Sequence, residues 1–507
     1  MADYDAIIVG SGSGGLAAGL EIARRGHSVL LLEAAPVLGG CLSPIQTAGY
    51  QFDIGVHYLG ELGEGAGFWL CLQELGLLEE VEFLELNPDA IDRYVFPDFE
   101  LRLCKGKERF KEQLIGLFPD ERRGINKYFE IYDRVVRANE SVLDLEVRPM
   151  QVLSWLLRNP IMLKYGRVSY QALLDAVSQD IQLQTALAAL WFDYMLPPER
   201  ASVAYGVGAW HHYLSGGYYP RGGSGALRDA FVKALEEHGA ELQTSCRVEA
   251  IDRRGDEFVV NCANGNQWTS KVVVSDVDPT VTLGRLLTPK LVPTKSARKA
   301  AHLKPSASVF GVLVGTDLDL PSLGMTTGNL IHYDGYNINQ IFRDTMATEC
   351  PDMTRSILVN SPSIRDTKLA PRGHHSLQIL VGANYAAFDR SARSEGSEFQ
   401  DFVEALGKEL ISTVESYVPE LSRHLRLIEY ITPLTLEKHN NLVRGGIYGP
   451  ELTPEQLGPG RFHDGTCGIA GLFLAGAGAL GGSVYYCVRS GLKAGRKANA
   501  LLHRKQH

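Results

Sequence analysis

The pattern of apolar and polar positions in the first 33 residues predicts a strand, a helix and a second strand in succession. Residues 6–9 form a continuous apolar, β-branched run, which is typical of a buried parallel strand, and the glycine-rich segment 10–15 follows at once. Helix-forming residues fill positions 16–25, and a second apolar run, 28–32, ends at Glu33. The pattern therefore predicts a βαβ unit whose turn is built from glycine.

The glycine spacing gives this unit a candidate chemistry, because G-x-G-x-x-G followed by an acid at the end of the second strand is the dinucleotide-binding fingerprint. Gly12 lets the backbone approach a pyrophosphate, Gly15 lets the helix pack closely on the strand, and Glu33 accepts hydrogen bonds from an adenosine ribose. FAD and NAD share this fingerprint, so the unit by itself does not choose between them. The predicted cofactor contacts here are Gly10, Gly12, Ser13, Gly14, Gly15 and Glu33.

Residues 33–41, E-A-A-P-V-L-G-G-C, resemble the acid-to-GG stretch of the FAD-dependent amine oxidase and phytoene desaturase superfamily. Segments 50–60, 216–224 and 271–279 are similar to segments of retinol saturases and carotenoid isomerases, and the similarity extends from the first residues to about Arg496. The resemblance implies FAD as the cofactor, with the paired glycines close to its phosphate and ribityl chain and a strand residue near its adenine. The contacts implied in this way are Gly39, Gly40, Gly55 and Val248.

The resemblance also implies an α/β fold in which a Rossmann-type FAD-binding domain is interleaved with an α+β substrate domain, as in two-domain amine oxidases. The length of 507 residues agrees with this, because it exceeds what one hydrophobic core usually supports. Residues 242–252 and 257–262 alternate apolar and polar positions, as paired strands do. The expected ranges are 1–65, 205–279 and 441–507 for the FAD-binding domain and 66–204 and 280–440 for the substrate domain.

A second glycine-rich turn lies near the C-terminus. Residues 471–475 predict a strand, and 476–482 form another G-x-G-x-x-G before a helix expected over 483–502. Only 26 residues follow Gly481, which leaves no room for a returning strand and its acid, so a second Rossmann unit is not expected. The resemblance implies instead that this turn caps the first site, and that an acid found in many relatives is replaced by Gly478. The contacts implied here are Gly476, Gly478 and Gly481.

Flavin enzymes need few acid–base groups of their own, because the isoalloxazine ring carries the hydride. His57 is the first candidate for a polar group at the flavin, since Asp53, Gly55 and His57 alternate and would share one face of a strand. A hydrogen-bonded structural histidine is the alternative. Tyr58 and Tyr219 are candidate proton donors, or apolar walls for a long substrate, as is Tyr218. The candidate catalytic residues are His57, Tyr58 and Tyr219.

Charge and cysteine usage exclude several partners. A net charge of −9 without a compact basic run makes nucleic acid an unexpected partner. The eight cysteines are scattered, without a C-x-x-C pair, which indicates a reduced cytosolic chain. The adjacent His211 and His212 diverge on a helix or a strand alike, so we expect no metal. Arg221 either approaches the cofactor or forms a structural ion pair.

Membrane contact is expected to be peripheral. No segment reaches the roughly 18 apolar residues that cross a bilayer, and the first residues lack a secretory signal, so we expect a cytoplasmic protein. Residues 150–167 form two apolar turns divided by Pro160, which favours a helix pair lying on a membrane; the inner wall of the substrate domain is the alternative. The cations of this segment are Arg158, Lys164 and Arg167, and its expected membrane-facing residues are Trp155, Leu156, Ile161 and Met162.

The expected function is that of an FAD-dependent oxidoreductase acting on C=C bonds of a lipophilic polyene such as a carotenoid or retinoid, by saturation, desaturation or cis–trans isomerisation. Two alternatives stay open. An amine oxidase would share the fold and oxidise a C–N bond, and a non-enzymatic flavoprotein or lipid carrier would agree with a site weakened at Gly478. No independent NAD(P)H site is visible in the sequence, so the electron partner is not identified.

Overall fold

The chain forms two seven-stranded sheets and two short β-ribbons in the computed structural model, which describes residues 2–143, 148–393 and 398–504. The strands are β1 (Tyr4–Val9), β2 (Val29–Leu32), β3 (Ile45–Thr47), β4 (Tyr50–Phe52), β5 (Phe83–Glu85), β6 (Asp92–Val95), β7 (Glu100–Leu103), β8 (Tyr218–Pro220), β9 (Glu241–Gln243), β10 (Val248–Arg254), β11 (Glu257–Cys262), β12 (Gln267–Ser275), β13 (Ser308–Thr316), β14 (Asn329–Tyr333), β15 (Ser356–Asn360), β16 (His375–Ala383), β17 (Leu425–Ile431) and β18 (Leu472–Leu474).

Helices cover the sheets and connect them. They are α1 (Ser13–Ala23), α2 (Gly67–Leu75), α3 (Lys107–Leu117), α4 (Arg122–Leu143), α5 (Pro149–Arg158), α6 (Ile161–Tyr165), α7 (Tyr170–Val177), α8 (Ile181–Leu187), α9 (Val203–Leu214), α10 (Ser224–Glu237), α11 (Pro279–Val281), α12 (Thr294–His302), α13 (Ile338–Thr345), α14 (Pro362–Arg365), α15 (Tyr385–Ala392), α16 (Glu398–Val414), α17 (Pro433–Asn440) and α18 (Val484–Arg504). None of those in the described ranges is long and apolar enough to cross a membrane.

The first sheet has the strand order β10-β11-β12-β1-β2-β9, and β18 lies beside β12. Strand β1 is parallel to both β2 and β12, with Ala6 opposite Val29 and Val272. Helices α1, α10 and α18 cover one face of the sheet with a continuous apolar core, and a second core covers the other face. The predicted strand–glycine turn–helix–strand unit is confirmed, and a parallel strand buried on both faces explains its uninterrupted apolar run.

The predicted pairing of 242–252 with 257–262 is confirmed only from Val248 onward. Strand β9 pairs in parallel with β2, whereas β10 pairs antiparallel with β11, so the segment contains two strands with different partners. Between them Ser245 has a positive φ of 52°, and its N–H donates to the carbonyl oxygen of Ala35. The next residue, Cys246, donates to the carbonyl oxygen of Glu33, so the turn is held against the end of β2.

The second sheet has the order β17-β13-β16-β15-β14-β6-β7, and only β14 and β6 are parallel neighbours among its described strands. Helices α3, α4 and α7–α9 pack on one face, and α15 and α16 pack on the other. Its strands come from 92–103 and 308–431, between parts of the chain that build the first sheet. The interleaved two-domain α/β fold is confirmed, while the boundaries of the domains stay a prediction.

The connection after β4 joins the two sheets. Strand β4 packs against β16 of the second sheet, and the Gln378 side chain on β16 donates to the carbonyl oxygen of Asp53 at 2.8 Å. Tyr50 on β4 lies against Gly315 on β13, where a side chain would collide with the phenol ring. Residues 53–58 therefore run from the second sheet back toward the glycine turns of the first.

Candidate functional site

The glycine turn between β1 and α1 forms a cradle without side chains. Gly10 has a φ of +94°, which favours glycine, and Gly12 is the N-cap of α1. A side chain at Gly15 would collide with the carbonyl oxygen of Gly10, so glycine is what allows the helix to begin this close to the strand. The N–H groups in the first turn of α1 face the cradle, and a helix N-terminus attracts anions. Because no acidic residue lies in this turn, the N–H groups form an anion site.

Glu33 lies at the edge of this cradle, buried at the end of β2. Its Oε2 accepts hydrogen bonds from Ser11 N at 2.9 Å and Ser11 Oγ at 2.6 Å, and its Oε1 accepts one from Ala35 N at 2.8 Å. A carboxylate has about four acceptor positions, so one remains on Oε1 for a ribose hydroxyl. Ser11 was not among the predicted contacts; its Oγ also accepts from Gly39 N at 2.9 Å and so links Glu33 to the paired glycines.

Two chain segments that are distant in sequence close around the turn. Gly39 and Gly40 have φ values of 111° and 54°, and a Cβ at Gly40 would lie 3.4 Å from the Cα of Gly12. Gly476 has a φ of 74° and donates its N–H to Ser490 Oγ at 2.7 Å. It lies so close to Gly14 that a side chain at Gly14 would collide with the backbone of Gly476. The structure therefore brings the three glycine motifs together.

The other implied contacts lie around this cradle. A Cβ at Gly55 would lie 2.8 Å from the Cβ of Cys41, which follows the paired glycines. Val248 begins β10, two residues after the contact between Cys246 and Glu33. Gly478 lies against Pro279, which fills the space that an acidic side chain would need. The packing of this chain thus requires glycine at position 478.

These residues fit an adenine dinucleotide. The cradle offers helical N–H groups for a diphosphate, close backbone approach at glycines, and a buried acid with a free acceptor for a ribose. Cys41 and Cys487, which flank the cradle, are thiols in the site, because burial raises the pKa of Cys41 to about 11 and that of Cys487 still further. Neither is therefore a reactive thiolate.

His57 is a half-buried, neutral imidazole. Its Nδ1 lies 3.4 Å from Asn360 Nδ2 on β15. Burial, followed by the nearby Arg365 guanidinium, lowers the pKa of His57 to about 4. Near neutral pH the ring therefore acts as a hydrogen-bond partner and not as a cationic acid.

The two candidate tyrosines are held by carboxylates. Tyr58 donates to Asp92 Oδ2 at 2.6 Å, and its ring lies 4.5 Å from that of Tyr213, centroid to centroid. Tyr219 donates to Asp53, whose Oδ1 also accepts from Ser224 N and Oγ. Burial, followed by the neighbouring carboxylate, raises the pKa of both phenols well above the usual value. This geometry favours an anchoring role for both over proton donation.

Arg365, which the sequence did not reveal, connects these groups. The buried guanidinium donates to the carbonyl oxygens of Thr327 and His57 and, at 2.9 Å, to Asn329 Oδ1. Asn329 Nδ2 in turn donates to Asp92 Oδ1 at 2.9 Å. The guanidinium also lies over the ring of Tyr219, at 5.0 Å. One cation therefore holds the His57–Tyr58 segment between two buried carboxylates.

A tyrosine cluster faces the C-terminal glycine turn. A side chain at Gly481 would collide with Tyr205 Oη, and one at Gly482 would collide with Tyr448. Tyr205 Oη is buried and has no hydrogen-bond partner in the described part of the chain. Its ring lies 6.0 Å from that of Tyr486 on α18. No local sequence signal marks Tyr205 or Tyr448, because the contact depends on the fold.

The adjacent histidines and Arg221 lie outside the glycine cradle's hydrogen-bond network. His211 lies near Glu61 and Glu140, at 3.6 and 3.4 Å, while the His212 ring stacks on Tyr485, so the adjacent histidines diverge. No cluster of three His, Cys, Asp or Glu side chains that could hold a metal occurs in the described ranges. Arg221 forms a surface ion pair with Glu82 through two hydrogen bonds, which favours the structural interpretation.

Helices α5 and α6 expose a different set of apolar residues from the predicted one. Trp155 is half-buried, and its Nε1 donates to Ser141 Oγ on α4 at 2.9 Å; Leu156, Ile161 and Met162 are also half-buried. The exposed positions are Met150 at 76%, Leu153 at 50%, Leu157 at 72% and Leu163 at 68%. They form, with Arg158, Lys164 and Arg167, the surface that we call the α5–α6 face.

The fold and the glycine cradle define a two-domain flavoprotein. The flavin containing amine oxidoreductase family matches residues 13–499. The chain is 25% identical over 474 residues to the all-trans-retinol 13,14-reductase of Danio rerio, covering 89% of this chain and 78% of the relative. It is 25% identical to the chloroplastic prolycopene isomerase of Daucus carota, covering 94% and 76%. Cyclohexylamine oxidase from Brevibacterium oxydans IH-35A superimposes over all of both chains with a TM-score of 0.64 at 15% identity, which shows the fold.

The chain therefore belongs to the flavin containing amine oxidoreductase family. It is an FAD-dependent oxidoreductase related to retinol reductase and carotenoid isomerase, and the expected superfamily, fold and cofactor are confirmed.

Proposed function

We propose that this enzyme acts on C=C bonds of a lipophilic polyene, by saturation, desaturation or cis–trans isomerisation. The observation that carries the proposal is the cluster of half-buried tyrosines opposite the C-terminal glycine turn, in a chain aligned along about nine-tenths of its length with a retinol reductase and a carotenoid isomerase. Aromatic side chains offer broad apolar faces to a conjugated chain.

For each site residue we propose the role that its geometry supports. The glycines of the three turns and Glu33 hold FAD, which supplies the hydride chemistry when bound. His57 is the neutral polar group at the reacting end, and Tyr58 and Tyr219 anchor its segment through Asp92 and Asp53. Tyr205 keeps its proton, because burial raises its pKa, and its unpartnered hydroxyl is the proposed proton donor.

Peripheral membrane contact through the α5–α6 face is part of the proposal. The face combines four exposed apolar side chains with three cations, and exposed apolar patches of this kind mark interaction sites. Long basic side chains reach a headgroup layer while apolar neighbours lie below it. A polyene dissolved in the bilayer would then enter without crossing water. The electron partner is proposed to be a separate reductant, since no second dinucleotide site was expected from the sequence.

The proposal is tested by incubating the flavin-loaded protein with retinoids and carotenoids, with chemically reduced or oxidised flavin and without oxygen. Mass spectrometry scores the product: a gain of two hydrogens means saturation, a loss means desaturation, and an isomer of equal mass means isomerisation. Amines, assayed in air for hydrogen peroxide, are the matched comparison. Peroxide from amines together with unchanged polyenes would overturn the proposal in favour of an amine oxidase.

A further inference from the structure

Asp276 places a carboxyl group inside the glycine cradle. It follows β12 directly, and its N–H donates to the carbonyl oxygen of Val9 at 2.9 Å, so it stands at the end of β1. Side chains added at Gly12, Gly14 or Gly476 would each collide with an oxygen of this carboxyl group. The carboxyl group of Asp276 therefore occupies the space in which side chains at these three glycines would lie.

Among the residues that the structure describes, no cation compensates the charge of this carboxyl group. Its Oδ1 is shielded from solvent and lacks a hydrogen-bond partner among the described residues. The N–H groups of Gly12 and Gly15 at the N-terminus of α1 face it, and so does the carboxylate of Glu33. Burial, followed by Glu33, raises the pKa of Asp276 to about 7, against the effect of the N–H groups.

The other titratable groups around Asp276 do not change this balance. Cys41 beside the paired glycines and Cys487 on α18 both interact with its carboxylate, and both keep their protons because their pKa values are raised. The buried Arg461 acts on Cys487 and donates to the carbonyl oxygen of Ala477 at 3.4 Å; it does not contact Asp276. The N–H groups of α1 are thus the principal favourable partners of the ionised group.

A diphosphate bound at the same N–H groups would meet an ionised Asp276 at close range. Like charges that share a poorly solvated site cannot both persist without a cation. We propose that Asp276 is a further residue of the cofactor site and that it is neutral when FAD is bound, so that FAD binding takes up one proton from solvent. The inference rests on the FAD cofactor and on no particular substrate.

The sign of the pH dependence follows from this proton. Below the pKa of Asp276 in the flavin-free protein the group is already neutral, and affinity for FAD is constant. Above it, each bound FAD draws one proton, so the Kd rises about tenfold per pH unit. With a pKa of about 7, the Kd should rise about 50-fold between pH 7 and pH 9, because half of the groups are already ionised at pH 7. Asp276→Asn keeps the shape and removes the charge, so its affinity should stay constant.

The test measures FAD binding to the full-length protein from pH 6 to pH 9 by the fluorescence of free FAD, for wild type, Asp276→Asn and Asp278→Asn. Asp278 is the matched control, because its carboxylate caps α11 by accepting from Thr280 N and Oγ1 at 2.7 and 2.6 Å. Titration calorimetry in two buffers of different ionisation enthalpy counts the protons. We expect about one proton at pH 8 to 9 for wild type and Asp278→Asn, and none for Asp276→Asn.

Three results would overturn the inference. These are a wild-type affinity that does not change from pH 6 to pH 9, a wild-type pH dependence retained by Asp276→Asn, or loss of FAD at every pH by an Asp276→Asn protein that still unfolds cooperatively. The proton count measured on the wild-type protein tests the inference even if the Asp276→Asn variant does not fold. Failure of every polyene assay would overturn the proposed substrate class and leave this inference intact.

Discussion

His57 shows how a single side chain is tuned at the candidate site. It lies half-buried beside the Arg365 guanidinium, and burial and this cation together lower its pKa to about 4. A neutral imidazole can donate one hydrogen bond and accept another, which suits orientation of a substrate or flavin better than cationic acid catalysis. The carbonyl oxygen of the same residue accepts from Arg365, so the backbone is fixed as well.

His57→Ala should retain flavin, because the imidazole contacts Asn360 and not the glycine cradle. Turnover should fall by roughly 100-fold, the scale on which misplacing a reacting group by about 1 Å slows a reaction. Since the pKa is about 4, wild-type turnover should show no step from this residue between about pH 5 and about pH 8. Visible absorbance gives the flavin content and mass spectrometry the product. Wild-type turnover in a fully flavinated variant would remove His57 from the mechanism.

Arg365 is the second residue whose effect can be measured alone. Replacing it with methionine removes donors from Asn329 and two carbonyl oxygens and leaves Asp53 and Asp92 without their cation. Breaking such a buried charge arrangement costs about 3–5 kcal/mol. Burial raises the pKa of both carboxyls and Arg365 lowers it, so without Arg365 both rise further. The loss of stability in Arg365→Met should therefore grow as the pH increases.

Denaturant unfolding at pH 5 and pH 8 checks this prediction. Arg221→Met is the matched control, because it breaks a two-point ion pair with Glu82 at the surface, where solvent screens the charges. The control should change stability little at either pH. Equal stability of Arg365→Met and Arg221→Met would show that the buried network is not held by its cation.

At the scale of elements, the structures that could be predicted are those with a local signal. A buried apolar run, a glycine turn and a helical pattern together predict the β1–α1–β2 unit. The helix expected over 483–502 corresponds to α18. The break between β9 and β10 could not be predicted, because it depends on hydrogen bonds from Ser245 and Cys246 to the end of β2, some 200 residues away in the chain.

The same distinction applies to the site. Glycine spacing marked the three turns, since a backbone that must approach a ligand leaves a readable pattern. Arg365 has no such mark: its partner His57 lies 308 residues earlier, and only the fold makes them neighbours. Tyr205 meets Gly481 in the same way. The hydrophobic pattern also could not predict which side of α5 faces solvent, because the hydrogen bond from Trp155 to Ser141 holds the indole against α4.

The α5–α6 face gives a prediction at this scale. A Met150→Ser, Leu157→Ser, Leu163→Ser variant should lose most of its sedimentation with vesicles of neutral phospholipid containing some anionic phosphatidylserine, because these exposed side chains supply the buried apolar area. Wild-type binding should be weak and fall with salt, since a net charge of −9 opposes the local cations.

A matched control removes the same kind of surface elsewhere. Leu70, Ile181 and Ile428 are exposed on α2, α8 and β17, and the triple serine variant of these residues should sediment like wild type. Equal sedimentation of both variants and wild type would mean that this face is not the site of contact. Unchanged turnover of the α5–α6 variant on detergent-dissolved polyene would separate docking from catalysis.

At the scale of the whole molecule, the proposed cofactor site is where distant parts of the chain converge. Its walls come from the turn at 10–15, the segment 33–41, Asp276 and the turn at 476–482, and the segment 53–58 ties them to the second sheet. No one of these segments is a site by itself. A ligand that contacts all of them binds the folded chain and not the unfolded one, so cofactor and folding are thermodynamically linked.

FAD should therefore stabilise the whole protein by a free energy that grows with the logarithm of its concentration, about 2.7 kcal/mol at 100 times the Kd. Gly12→Val should abolish this effect, because the added side chain collides with the Asp276 carboxyl group at the N-terminus of α1 and closes the cradle to a diphosphate. Thermal unfolding of both proteins with increasing FAD checks this: the Tm of wild type should rise and that of Gly12→Val should not. Gly116→Ala, with open space around it on α3, is the control and should follow wild type. A Gly12→Val protein that purifies with a full flavin complement would show that the diphosphate does not lie at this turn.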